Sequence, residues 1–151
     1  MSTKRADILT GLTTILEGIP ELVAAGAGGV KRFQQGGVKL DFIPVAYIHW
    51  QSDRVVREIS HLLFERSITF QVFVFFETAA GEGGITSTDE ELDLWAARVE
   101  AAVMADRTLS GAARDTLLVS SRALGPNEGM PAVGVSVEFE ARYQTNNLGG
   151  T

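Results

Sequence analysis

Cysteine is missing from all 151 residues. That removes disulfides, zinc thiolate sites and cysteine nucleophiles, and it makes folding in a reducing compartment unproblematic. Histidine is scarce, with two in the chain, His49 and His61. Neither is joined by a second histidine one helical turn away, so no convergent ligand set is expected and no metal site is assigned. No apolar run approaches the eighteen or so residues of a membrane span. The N-terminus, Met-Ser-Thr-Lys-Arg, becomes amphipathic without the unbroken apolar core of a signal peptide, so cytosolic synthesis is the expectation. Basic residues are also outnumbered, thirteen against nineteen acidic, for a net charge of −6. Lys4–Arg5, Lys31–Arg32 and the spaced Arg54 and Arg57 do not make a basic patch, and nucleic acid is a poor default partner.

What remains is ordinary globular material. With 45% hydrophobic and 21% charged residues, global disorder is excluded. A chain of this length forms one domain and buries roughly two-thirds of its unfolded surface. The expected domain is residues 1–151, with a mobile polar tail over 144–151.

Hydrophobic periodicity predicts a helix from Thr3 to Glu17, carrying Ile8, Leu9, Leu12, Ile15 and Leu16 on one face. Gly18, expected as a left-handed cap, and Pro20 stop it. Residues 24–37 are glycine-rich, a loop with a short strand at Val30–Phe33. Pro44 opens a strand, Val45–Trp50. Over 51–64, Val55, Ile59 and Leu62 fit helical spacing, and a long hairpin excursion fits equally well. Arg66–Glu77 is the strongest strand: Ile68, Phe70, Val72, Val74 and Phe76 share one face at period two, and the other face turns aromatic at Phe73 and Phe75. After a glycine loop over 78–86, Ser87 and Glu90 form a capping box. Leu92, Trp95, Ala96, Val99 and Val103 then line a helix ending near Asp106. Two more strands follow, Thr116–Leu124 and Ala132–Tyr143, joined by a Gly/Pro loop. In the second, Val133, Val135, Val137, Phe139, Ala141 and Tyr143 point in, while Ser136, Glu138, Glu140 and Arg142 point out. The expected fold is α+β: a two-layer sandwich of a mainly antiparallel sheet with two helices on one face.

No catalytic constellation accompanies this frame, and no enzyme activity or cofactor is assigned. His49, Ser52 and Asp53 are merely sequence neighbours, whereas hydrolytic triads are assembled from distant segments. Gly26–Lys31 lacks the Gly-Lys-Ser/Thr ending of a phosphate loop. Asp89, Glu90 and Glu91 suit a helix first turn, where the dipole favours carboxylates. The candidates are therefore contact residues. Phe73 and Phe75 need a second cover, from this chain's own N-terminal segments or from another subunit. Trp50 stands beside a polar segment containing Asp53 and Arg54. Glu82, Asn127 and Glu128 sit in the two glycine-containing loops.

The C-terminal half carries a family likeness. Ala105-Asp-Arg-Thr-Leu-Ser-Gly-Ala-Ala-Arg-Asp-Thr-Leu-Leu-Val119, the alternating final strand and its ending Tyr143-Gln144-Thr145 resemble the corresponding segments of tail terminator proteins of long-tailed bacteriophages. The Arg66–Glu77 strand and the capped helix fit the same order of elements. The likeness covers about residues 40–145; residues 24–37 and 51–64 have no counterpart in it. It implies a virion protein at the tail–neck junction, assembled in the host cytoplasm as a homo-oligomeric, hexameric ring. Such a ring caps the tail tube, ends its polymerisation and offers a docking surface to the head or neck connector protein. DNA would pass through without specific binding, with no membrane involved. A related neck or tail-completion protein is the nearest alternative. A small α+β ligand-binding domain or enzyme is the alternative of another class, opposed by inward positions that are nearly all aliphatic or aromatic.

Overall fold

A computed structural model describes residues 3–32, 42–77, 88–124 and 132–146. Helix α1 spans Lys4–Glu17, with Thr3 as its N-cap: the Thr3 hydroxyl accepts from the Ala6 N–H at 3.0 Å. Gly18 ends the helix with φ −75°, in the right-handed region and not the left-handed one expected. The last turn tightens, the Gly18 N–H donating to the Ile15 carbonyl. Pro20 does not close the region; it opens a second short helix, α2, Pro20–Val23.

Five strands follow as one sheet: β1 Gly29–Arg32, β2 Val45–Ser60, β3 Leu63–Glu77, β4 Asp115–Leu124 and β5 Ala132–Asn146, in the spatial order β1-β2-β3-β5-β4. Among the described strands β1 runs parallel to its neighbour, and the other pairs are antiparallel. Helix α3, Thr88–Ala105, lies between β3 and β4 in the chain. The architecture is an α+β sandwich, with α1 and α3 packed on one face of the sheet.

The segment 51–64 resolves as a hairpin. Strand β2 continues past Trp50 to Ser60, His61 and Leu62 make the turn, and β3 begins at Leu63. Three register shifts, at Trp50/Ser52, Val55/Arg57 and Glu58/Ser60, mark where extra residues enter β2. These bulges break the period of two and leave Val55, Ile59 and Leu62 at a misleading helical spacing. Strand β5 likewise extends through Gln144, Thr145 and Asn146, pairing with Glu65, Phe64 and Leu63. Those three residues were expected in the mobile tail, and Thr145 is buried.

The helix-facing side of the sheet forms the core: Ala46 and Ile48 of β2, alternate residues Ile68, Phe70, Val72, Val74 and Phe76 of β3, and Val133, Val135, Val137, Phe139, Ala141 and Tyr143 of β5. Phe70 stacks on Phe139 at 5.6 Å and Phe76 on Trp95 at 5.8 Å. From the helices come Ile8, Leu9, Leu12 and Leu16, and Leu92, Trp95, Ala96, Val99 and Val103. The turn after α3 also reaches the core through Leu109, which adopts φ 51° ahead of Ser110 (φ 61°) and Gly111 (φ 86°). Gly11 makes this approach possible. A Cβ there would lie 2.1 Å from the Leu109 carbonyl oxygen, so only glycine lets α1 sit on that turn.

Candidate assembly surfaces

The opposite, outer face of the sheet changes character along the strands. At one end Val45, Phe75 and Gly134 form one row, and Tyr47, Phe73 and Ser136 the next. Val45, Tyr47 and Ser136 are buried within the single chain, and Phe73 and Phe75 are half-buried. Tyr47 meets Phe75 edge-on at 6.4 Å. None of these aromatic residues joins the main core. Ser136, expected to face solvent, does point to the outer side but is sealed there beside Phe73.

At the hairpin end the same face is ionic. Arg54, Ser67 and Arg142 share a row, flanked by Glu140 and Glu65. The Ser67 hydroxyl donates to Glu140 Oε1 at 2.6 Å. The Arg57 Nε donates to Glu65 Oε2 at 2.8 Å, and Arg54 and Arg142 approach Glu140 at 3.9 and 3.7 Å. The glutamates lie low in the lattice and the guanidiniums of Arg54 and Arg57 stand exposed above them.

On the helix side, Asp53 anchors a polar junction where the helical layer gives way to the hairpin. Its side chain is 3% exposed. It accepts from Arg66 Nε at 3.2 Å and from the Tyr143 hydroxyl, and Arg5 of α1 approaches at 3.6 Å. The Arg5 guanidinium also lies 4.8 Å above the Trp50 ring. Burial first, then the hydrogen bond to Asp53, push the Tyr143 phenol well above its ordinary value. Of the residues singled out from sequence, Trp50 and Asp53 come together on the helix side at the base of the hairpin, joined through Arg5, whereas Arg54 lies on the outer face. Trp50 and Arg54 are exposed, whereas Asp53 is engaged by its own chain. Phe73 and Phe75 lie on the outer face at the other end. Glu82, Asn127 and Glu128 fall outside the described residues, as does the capping residue Ser87.

Two features escaped the sequence. One is the set around Asp53: Arg66 and Tyr143 stand 13 and 90 residues away in the chain, and no local pattern links them. The other is the β4 margin. Leu117, Leu118 and Val119 are all exposed at the sheet's end strand, beside a register shift at Leu118/Ser120. Three successive apolar residues that break alternation were the available signal. The start of β4 is held by Arg107, whose Nε and Nη2 each lie 2.8 Å from the Asp115 carboxylate.

Among the described residues no group of three or more His, Asp or Glu side chains is placed to hold a metal ion. No described helix is long and apolar enough to cross a membrane. Asp106 accepts from the Thr108 hydroxyl and the Ser110 N–H. A cleft of about 290 Å³ lies between Pro44, Phe76, Trp95 and Arg98. Its cation is already placed over Trp95 at 4.6 Å and beside Glu21 at 3.5 Å.

No family model and no curated protein matches the chain. Among solved structures, a chain described as "Virion of native gene transfer agent (GTA) particle" is similar, with a TM-score of 0.47 and 15% identity. The match covers 96% of this chain and 96% of that one.

Proposed function

We propose that this chain is a structural subunit of a long-tailed phage-type particle, acting by self-assembly and not by catalysis. In this reading it forms a hexameric ring that caps the tail tube, ends its polymerisation and presents a docking surface to the neck. One observation carries the assembly: the sheet ends in two unlike margins, β2 with β1 at one side and β4 at the other, and each exposes apolar residues. Two different complementary patches on one subunit are what a head-to-tail ring requires. The specific identity as a tail terminator draws on the Ala105–Val119 and Tyr143–Thr145 resemblance and on the order of elements.

The purified chain is expected to sediment as a closed oligomer and to appear as rings in negative stain. Those rings should bind one end of isolated tail tubes and block further tube growth. A strict monomer with no affinity for tube ends sinks the reading.

A further inference from the structure

The β4 margin is an unusual edge. Its residues 117–123 are all exposed, Val119 to 51%. Between Asp115 and Arg122 the strand carries no charge, and it has no lysine or proline, two of the devices that keep an edge from pairing. At the other side of the sheet, β1 covers β2 only over Val45–Ile48. From Trp50 to Ser60, among the described residues, the far side of β2 has no strand partner. Trp50, Val55 and Ile59 are exposed along it.

The two margins match in three ways. The ten residues of β4 are close in length to Trp50–Ser60. Both carry exposed apolar side chains suited to cross-strand pairs. Their polarity also fits: β2–β3, β3–β5 and β5–β4 are each antiparallel, so β2 and β4 run in opposite directions. A second copy laid beside the first in the same orientation therefore presents its β2 antiparallel to β4, and the alternation continues across the boundary. We infer that copies of this chain join by pairing β4 of one with the Trp50–Ser60 arm of the next, making one continuous intersubunit sheet. This rests on the ring reading above and names its interface. The bulges in both margins raise the local twist and oppose a flat, fibril-like stack.

The absence of native cysteine gives a clean test. Val119→Cys is combined with Ser52→Cys, Arg54→Cys or Val55→Cys, and the full chain is oxidised mildly in native buffer. Within one subunit these positions are three strand spacings apart, about 14 Å, beyond the roughly 7 Å a disulfide can span. Any bridge formed by the folded protein is therefore between copies. At least one pair should give a covalent ladder of dimers, trimers and larger species. Val119→Lys, with its fold checked by circular dichroism, should weaken self-association by roughly tenfold or more; should it fail to fold, the cysteine panel decides alone. Wild-type rings with no crosslink from any pair overturn the interface while leaving the ring intact. So does a ladder from Val119→Cys alone that stops at the dimer, because β4 then pairs with itself. A wild-type chain that never assembles overturns both.

Discussion

Asp53 is the residue on which the chain's polar packing converges, because a carboxylate this buried survives only with partners. Arg66 and Tyr143 belong to β3 and β5, and Arg5 to α1, so one side chain ties the first helix to three strands. Removing it with Asp53→Ala leaves the buried Tyr143 hydroxyl without its acceptor and should cost about 1–3 kcal/mol. The contribution of Arg5 is smaller than its distance suggests, since its side chain is open to water. The junction also has a pH signature. The folded phenol of Tyr143 titrates above its ordinary value of 10.0, raised by burial and by Asp53. A raised folded pKa means the linked stability is complete below the unfolded value and is lost as pH climbs past it, where the unfolded phenol ionises first. Thermal melts between about pH 9 and pH 11 should fall more steeply for the wild type than for Tyr143→Phe. Parallel curves would show that the phenol makes no such contribution.

At the scale of elements, side-chain period was the legible signal and edges were not. The buried face of β3, the stripe of α3 and the inward set of β5 all follow from spacing, since each side chain's burial is fixed by a local repeat. The 51–64 hairpin was ambiguous because bulges insert residues that scramble the repeat, and no local pattern reveals a bulge. The parallel placement of β1, the extension of β5 and the network around Asp53 depend on partners far away in the chain. The candidate contacts divide the same way: Trp50 and Arg54 are exposed as a polar segment suggests, while the exposure of β4 depends on its place at the end of the sheet. The two faces of β3 and β5 can be compared directly. Val135 lies on the helix side within the core, so Val135→Asp buries an unpaired charge and should cost about 3–5 kcal/mol. Phe73, half-buried on the outer face, keeps some access to water. Phe73→Asp should leave a folded chain with a smaller loss, about 1–2 kcal/mol. Urea midpoints of the two variants measure the difference. If they fall together, the apolar end of the outer face is a second core and not a surface for partners.

Whole-molecule charge sets the terms on which copies can meet. Each chain carries −6, so any oligomer brings like charges together and works against long-range repulsion. The β4 margin contributes backbone groups and apolar side chains from Thr116 to Ser121, with no charge among them. On the facing Trp50–Ser60 arm the charged Arg54 and Arg57 are already paired with Glu140 and Glu65 of their own chain. Attraction through strand pairing and apolar side chains is short-ranged and little affected by salt, whereas the repulsion is screened once the Debye length falls from about 30 Å at 0.01 M to about 10 Å at 0.1 M. Self-association through the sheet margins should accordingly strengthen as salt rises over that range, as read by sedimentation velocity at fixed protein concentration. The outer-face lattice makes the opposite demand. If subunits met through the exposed guanidiniums of Arg54 and Arg57 and a neighbour's carboxylates, added salt would screen the attraction and the oligomer would dissociate. The sign of the salt response thus distinguishes apolar strand pairing from ion pairing by the arginines of the same β2 arm, without any substitution. A weaker oligomer at 0.1 M than at 0.01 M would assign the contact to the exposed arginines and not to apolar strand pairing.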